Sequence, residues 1–542
     1  MKPIFALGSE ASGDPAASLQ TANVFPVLGR AMLGIAGAYL LRALAEAGAV
    51  PKVAVAVVAI AYAFAWLVWA ARAPRVPSFV PLVYAGTSTV ILMPMLWEMT
   101  LHFRAFAPGV AAGALATFVV LSTTLEWRHE ASLALWLSYA AAAATAIALS
   151  VAARSILPFV FTLLLIVLLC ESARILGRAR PMWPFVAVAA DAAIWGMIFV
   201  YSGPQNARAE YPDLSPVALI VPAVVLFAIT ATTVASRAIW QECKVSVFAI
   251  AQGMITFGLA ISSVLHFAPG GAVALGVACL ALSAAAYGAT FHYPPLSLQT
   301  RNLRMFSMWS AALLIAGVLW AFPEPGAGIA LAIAGLAAYV AANRIDSYLL
   351  ALHGAAFLCT AVIVSGVAHY VFNALAASTA GRPDLSIWII ACSATAAYAV
   401  ASDRKEDGWP LHVLHLVPAL LAASAICALL VHSAVALANL AMTLENHHVA
   451  FLRTLVISAV ALCLAFAGSR WGRIAMTRLA YVALAFIAAK LLFEDLRHGH
   501  MEFIAGSIFL FALTLIAVPR LVRLGAKSRA DLHAETAVHT QS

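Results

Sequence analysis

The side chains with the clearest chemical potential in this sequence are ionisable groups inside long apolar stretches. Asp191 stands about nine residues into the apolar run 182–201. An ionisable group in the middle of a membrane costs at least a few kcal/mol, so it needs a partner or a water-filled cavity. Asp191 therefore either binds a proton or an ion inside a helix bundle, or it specifies packing as a protonated or hydrogen-bonded carboxyl group.

A second set combines aspartate with histidine. Asp346 and His353 are seven residues apart in one apolar run, so on a single helix they share a face. His369 follows about 24 Å further along such a helix, from its rise of 1.5 Å per residue. This spacing is compatible with a proton relay, but we favour histidines that hydrogen-bond to backbone carbonyls.

Lys490 and Asp495 close a later apolar run. Five residues of an α-helix turn through about 140°, which predicts that the two side chains face different neighbours. A lysine close to the membrane interface needs a carboxylate or a path to water. The pair is interpreted either as part of a transport site or as a clamp that fixes the last two spans.

Further ionisable residues lie at the ends of runs that the charge distribution assigns to the outer side. Glu98 and His102 are four residues apart, and Glu445 and His447 precede another run. Carboxylates and neutral imidazoles are common ligands of divalent metals, so this rim could bind such an ion or a polar headgroup. Glu98, His102 and Glu445 are also acid/base candidates. Charged side chains reaching from helix ends to water explain most of the pattern without function.

Membrane helices must position these residues. The chain has 542 residues, of which 64% are apolar and 10% charged, and its mean hydropathy is +0.96. A soluble domain is about 45–50% apolar and about 25% charged, and no soluble core could hide so much apolar surface. The composition excludes a soluble enzyme, a disordered chain and a nucleic-acid-binding domain. It predicts an all-α, polytopic transmembrane helical bundle.

About eighteen runs reach the roughly 20 apolar residues that a spanning helix needs. Packing between them should rest on small residues, and Gly109 with Gly113 forms a small-xxx-small pair of this kind. The runs begin near Val27, Val53, Ser78, Pro108, Ala131, Ser155, Met182, Leu214, Val245, Gly271, Met305, Gly326, Asp346, Leu385, Leu411, Ala450, Ile474 and Glu502.

The basic residues indicate the orientation of these runs. With an even number of spans, about 22 of the 31 Lys and Arg fall on the side of the two termini, which the positive-inside rule assigns to the cytoplasm. We therefore expect both termini in the cytoplasm. The expected organisation is a polar segment at 1–26, a polytopic domain at 27–521 and a basic, polar tail at 522–542.

Several motifs are absent from the sequence. It has no phosphate-binding loop, no H-E-x-x-H zinc helix, no arginine-rich voltage-sensor helix and no potassium-filter motif. The seven cysteines lie in or beside apolar runs, and no two share the short spacing of a zinc or redox motif. We therefore expect no cofactor and no motif-encoded metal site.

Two stretches of the chain resemble a known family. Residues 489–496 read Ala-Lys-Leu-Leu-Phe-Glu-Asp-Leu ahead of a polar turn and a last apolar helix, and the first span opens with Leu28-Gly29-Arg30. Both resemble a bacterial family of predicted membrane proteins, domain-of-unknown-function family 2339, whose members have a lysine followed five residues later by an aspartate, here Lys490 and Asp495. The specific match covers about a seventh of the chain. The resemblance implies a many-spanning protein of the bacterial inner membrane, with no established reaction or substrate.

Three functions remain open from the sequence. The first is a transporter, or a protein that handles lipid or envelope components, with a solvated cavity lined by some of Asp191, His353, Lys490 and Asp495. The second is an enzyme acting on a lipid-linked substrate at the outer face, and the third is a non-catalytic scaffold subunit. The expected partners are the lipid bilayer and a small-molecule or lipid substrate, with further copies of the chain or a larger membrane complex as an open alternative, and no nucleic acid.

Overall fold

The computed structural model describes residues 15–48, 50–72, 80–129, 132–177, 183–204, 208–292, 300–376, 381–401, 409–441, 444–495 and 500–541. Over these ranges the regular structure is helical, without a strand. These ranges contain nineteen α-helices. They are α1 (Pro15–Ala47), α2 (Lys52–Arg72), α3 (Val80–Trp97), α4 (Pro108–His129), α5 (Ser132–Ala152), α6 (Leu157–Ile175), α7 (Trp183–Ser202), α8 (Pro216–Ile239), α9 (Val247–Phe267), α10 (Ala272–His292), α11 (Thr300–Ala321), α12 (Gly326–Ile345), α13 (Tyr348–Val364), α14 (Val367–Ala376), α15 (Leu385–Ala401), α16 (Trp409–Ala441), α17 (Asn446–Trp471), α18 (Ile474–Lys490) and α19 (Met501–Gln541).

Each predicted apolar run coincides with a helix or, in one case, with a bent pair of helices. Within the described ranges, fifteen helices are long and apolar enough to cross a membrane, and the pair α13 and α14, bent by 69°, makes a sixteenth candidate. Two further apolar helices, Trp136–Ala152 and Leu385–Ala401, are shorter. The prediction of an all-α polytopic bundle is confirmed, and the protein is a multi-pass membrane protein. Eighteen spans and cytoplasmic termini stay predictions.

Helices dominate because backbone polar groups inside hydrocarbon must be satisfied within their own segment. Local signals set several helix ends. The hydroxyls of Ser215 and Ser246 accept hydrogen bonds from the first turns of α8 and α9, as N-cap serines do. Gly472, with a φ of 71°, ends α17 in the left-handed conformation that glycine adopts without strain.

The chain divides into two compact units, Met1–Gly271 and Ala272–Ser542. The first unit buries Phe118, Tyr139 and Phe159 in an alanine-rich core. The second buries Tyr339 and Phe357 in a core of similar composition. Each unit thus has an apolar core of its own.

Small residues let some helix pairs approach closely. A methyl group placed on Gly276 of α10 would lie 2.5 Å from the backbone nitrogen of Ala321 in α11, so this contact requires glycine. Gly109 and Gly113, by contrast, have no described atom within 4 Å of such a methyl group, so the prediction of close packing at this pair is wrong. The reason is rotational: α4 buries the face that carries Ala111 and Leu115.

Two spans end in a π-helical turn. Residues Glu98–His102 continue α3, and residues Leu491–Asp495 continue α18. A π-helix closes its hydrogen bonds between residues five apart, and such turns frequently occur at functional sites. The first of these turns begins at the carboxylate residue Glu98, and the second ends at Asp495.

A turn and a bend separate three residues that were expected on one helix. Asp346 ends α12 with a φ of 56°, a left-handed conformation that aspartate tolerates, and the helix that carries His353 begins only at Tyr348. The prediction that Asp346 and His353 share a helix face is therefore wrong. His369 lies beyond the bend at Gly366, so the straight-helix relay to it does not hold either.

Candidate functional site

The ammonium group of Lys490 lies buried at one end of the second unit. Its Nζ donates to the Ala450 carbonyl oxygen at 2.9 Å, to Thr454 Oγ1 at 2.9 Å and to Asp495 Oδ1 at 2.7 Å. An ammonium has three N–H donors, and each of them has an acceptor here. α17 supplies two of these acceptors and the π-helical turn supplies the third.

Lys490 and Asp495 are therefore direct partners, and the prediction that they face different neighbours is wrong. The angle of about 140° applies to an α-helix, whereas residues 491–495 are π-helical. The wider π-turn brings residues five apart onto the same face. Asp495 is further held by Thr454, whose Oγ1 lies 3.1 Å from Asp495 Oδ2.

A second ion pair adjoins the first. Arg453 Nη1 donates to Glu494 Oε1 at 2.8 Å, and Glu494 Oε2 lies 3.4 Å from Lys490 Nζ. Arg453 Nη2 also approaches the backbone oxygen of Asn373, at the end of α14, at 3.4 Å. We call Arg453, Lys490, Glu494 and Asp495 the charge network. It contains two cations and two carboxylates, so the desolvation of each ion is offset by an opposite charge.

Exposure varies across the charge network. The side chains of Lys490 and Asp495 are 2% and 3% exposed, whereas that of Glu494 is 20% exposed. One carboxylate of the network is therefore partly exposed at the protein surface, and the other is buried. Sequence reasoning missed Arg453, which it counted only as an outer-side charge. A signal was present, because Arg453 lies inside the apolar helix rather than in a loop.

A cluster of histidines lies near the start of α17. One ligand atom each from Glu445, His447 and His500 lies within 4.8 Å of the others. His447 Nδ1 is 3.4 Å from Glu445 Oε2, and the rings of His447 and His500 are 4.4 Å apart between centroids. Phe503 of α19 packs against both His447 and His448, with centroids 4.9 Å apart in each case. We call Glu445, His447 and His500 the His/Glu cluster.

Asp191 belongs to the first unit, in the middle of α7, and is buried. Gln252 of α9 donates its amide to both carboxylate oxygens, at 3.0 and 2.9 Å. The side chain therefore links two helices. The structure thus supplies the neighbouring-helix hydrogen bond that the packing interpretation of Asp191 requires.

His353 has an aromatic environment in the second unit. Its Nδ1 is 3.0 Å from the hydroxyl of Tyr287 in α10, and its ring lies near Phe357. Asp346 is exposed in the turn before α13. The three candidates His353, Lys490 and Asp495 thus lie in one unit, where His353 contacts Tyr287 and Lys490 contacts Asp495.

Glu98 pairs with α1 rather than with its own helix neighbour. Arg42 bonds Glu46 at 3.0 Å and approaches Glu98 at 3.4 Å, while the ring of His102 packs on Phe103. A cavity of about 640 Å³ lies among α1, α2 and α3, and one of about 130 Å³ lies between α1 and α3, where Arg42 and Glu98 line it in part. The cavity walls therefore come from these three helices, whereas Asp191 lies on α7.

A further buried ion pair in the first unit was not predicted. Arg174 Nη1 donates to both carboxylate oxygens of Glu171, at 2.9 and 2.7 Å, and both residues are buried. The Trp183 indole donates to Glu171, and the Arg174 guanidinium lies 3.5 Å from the centre of that ring. The i,i+3 spacing of the two charges was the available signal. This arrangement joins α6 to α7.

Comparisons of the chain with protein-family models, with curated proteins and with solved structures find no match. Functional conclusions therefore rest on the arrangement of the residues themselves.

Proposed function

We propose that this multi-pass membrane protein is an ion-coupled transporter and that the charge network is its coupling site. The observation that carries the proposal is the position of Lys490, whose ammonium contacts the carboxylates of both Asp495 and Glu494. Buried intramembrane ions are costly and mark ion or proton pathways in membrane proteins. A lysine shared between two carboxylates can couple ion binding at one carboxylate to a change in the ion pair at the other.

In the proposed coupling, the Lys490 ammonium exchanges one carboxylate partner for the other. When a proton or a cation neutralises Asp495, its attraction for Lys490 falls, and the ammonium moves towards Glu494. Glu494 then interacts with both Lys490 and Arg453, so its ion pair with Arg453 weakens. Because the Arg453 guanidinium also reaches the backbone oxygen of Asn373, charge exchange at Asp495 is transmitted to α14.

The gradient of exposure supports the same proposal. The side chain of Glu494 is 20% exposed, whereas that of Asp495 is 3% exposed. An ion that enters from solvent therefore meets Glu494 before Asp495. This order permits stepwise transfer from the surface to the buried carboxylate.

The test uses the full chain reconstituted in liposomes that enclose a pH-sensitive dye. A proton gradient is imposed, and its decay is followed in protein-free vesicles, with wild type and with Asp495→Asn. We expect wild type to dissipate the gradient faster than protein-free vesicles and Asp495→Asn to slow this decay by about tenfold. The decay should slow because the variant lacks the buried carboxylate to which the ion is proposed to bind.

Asp213→Asn is the matched control, because the side chain of Asp213 is exposed and lies outside the network. It should behave like wild type. Equal decay with Asp495→Asn and wild type, both folded, would reject the network as coupling site. A wild type no faster than protein-free vesicles would reject the proton as the coupling ion.

A second candidate function is an enzyme that acts on a lipid-linked substrate at the outer face. The observation that favours it is the His/Glu cluster, which brings a carboxylate and two imidazoles within reach of one point. Such a constellation suits general acid/base chemistry. We also propose that the chain belongs to family 2339 and lies in a bacterial inner membrane. The Lys490 and Asp495 motif supports the family, and the distribution of basic residues supports the orientation in that membrane.

A further inference from the structure

We propose that Glu445, His447 and His500 bind one divalent transition-metal ion, with Zn²⁺ as the best fit, and leave one coordination position open. This site is independent of the proposed transport function. It rests on the side-chain geometry of the His/Glu cluster, to which α17, the residue preceding it and the residue preceding α19 contribute.

The distances suit a small tetrahedral ion. Zinc binds imidazole nitrogen and carboxylate oxygen at about 2.0–2.2 Å, so two ligand atoms on a tetrahedron lie about 3.4 Å apart. Glu445 Oε2 and His447 Nδ1 are already 3.4 Å apart. The ligand atom of His500 lies within 4.8 Å of both, so a modest closing movement of one exposed side chain completes the set.

Neighbouring groups hold two of the ligands in place. The backbone N–H of Glu445 donates to His448 Nδ1 at 3.2 Å, which fixes the chain where it enters α17. Phe503 packs on the ring of His447, and Phe451 packs on Phe503 with centroids 5.8 Å apart. Residues around a metal that orient its ligands contribute strongly to affinity, and this aromatic wall does so for His447.

The donor set selects the class of ion. Two imidazoles and one carboxylate suit zinc and its transition-metal neighbours, whereas Mg²⁺ and Ca²⁺ prefer oxygen ligands throughout. Three protein ligands with a fourth position left to water are typical of catalytic rather than structural zinc sites. Glu445 is 72% exposed and His447 is 12% exposed at the side chain, so the open position is accessible from solvent.

The experiment is a zinc titration of the full-length protein purified in detergent, with a fluorescent chelator as competitor. Wild type should bind one Zn²⁺ per chain at this site. His447→Ala, His500→Ala and Glu445→Gln should each weaken binding by at least about tenfold, since even loss of a residue that only orients a ligand costs about 10–100-fold. The midpoint of thermal unfolding should rise with Zn²⁺ in wild type and not in the triple variant, which combines Glu445→Gln, His447→Ala and His500→Ala.

His369→Ala is the matched control, because His369 is exposed and hydrogen-bonds Asn373 rather than the cluster. It should bind zinc like wild type, and so should Asp495→Asn, which separates this test from that of the transport function. Equal zinc affinity of wild type and the triple variant would overturn the site. So would Mg²⁺ competing with Zn²⁺ at equal concentration. Size-exclusion elution at the wild-type volume establishes that each variant is folded.

Discussion

At the scale of single residues, Lys490 is defined by hydrogen bonds as much as by charge. All three of its donors are used, and two of the acceptors are neutral groups of α17. A buried lysine in this state is stable only while its carboxylate partner remains. When one partner of this ion pair is removed, the loss of stability therefore comes mainly from the other partner, which stays buried without its counter-ion.

Lys490→Met should lower stability by about 3–5 kcal/mol, because it leaves Asp495 as a buried charge without its counter-ion. The double variant Lys490→Met/Asp495→Asn should recover part of this loss. Thermal unfolding in detergent measures both. Lys52→Met provides the comparison, since Lys52 is exposed, and a Lys490→Met midpoint no lower than that of Lys52→Met would contradict the expectation.

Gln252→Leu should destabilise the first unit by about 1–3 kcal/mol, because the carboxylate of Asp191 then loses both of its observed hydrogen bonds. Replacing both partners, as in Asp191→Leu/Gln252→Leu, should cost less than the single change. Chemical unfolding followed by tryptophan fluorescence compares the two. A double variant that is less stable than Gln252→Leu would argue against a paired role.

At the scale of elements, backbone irregularity positions the chemistry. The π-helical turn after α18 puts Asp495 beside Lys490 and directs Glu494 to Arg453 of α17. A regular α-helix from 474 to 495 would keep Glu494, four residues on, near Lys490 but would turn Asp495 about 140° away. The turn thus converts a sequence spacing of five residues into a direct contact.

Close helix packing gives a prediction at the same scale. Gly276→Ala should destabilise the second unit by about 1–3 kcal/mol, because the new methyl group meets the backbone of α11. Gly288→Ala on the same helix meets no described atom within 4 Å and should be neutral, or stabilising by up to about 1 kcal/mol through helix propensity. The unfolding midpoints of the two variants, measured in the same detergent, test this difference in stability. Equal midpoints would contradict the prediction.

At the scale of the whole molecule, the distribution of basic residues predicts the topology. Single cysteines at Ser9 and Ser528, in a background without the seven native cysteines, should resist a membrane-impermeant maleimide in intact spheroplasts and react in inverted vesicles. Asn446→Cys should show the opposite pattern. Labelling of Ser9→Cys and Ser528→Cys on opposite sides would refute an even number of spans.

The fold was predictable because lipid leaves the chain few options. Apolar runs of sufficient length become helices whatever their neighbours are, and each predicted run coincides with a helix or, for the run that begins near Asp346, with a bent pair of helices. The site was less predictable, because local backbone conformation decides which side chains meet. The left-handed conformation of Asp346 ends its helix before His353, and the π-helical turn brings Asp495 to Lys490. Arg453 and Gln252 acquire their roles from partners 41 and 61 residues away, a distance over which periodicity carries no information.

The bend between α13 and α14 has a mechanical consequence. α14 has ten residues and is about 15 Å long, half the thickness of the hydrocarbon layer. It is inclined by 69° to α13 beyond the bend at Gly366, and the backbone oxygen of Asn373 in its last turn contacts the guanidinium of Arg453. Tilting α14 away from α17 would remove an acceptor from the buried Arg453 guanidinium, so under the proposed function the position of α14 would respond to the protonation of carboxylates that it does not touch.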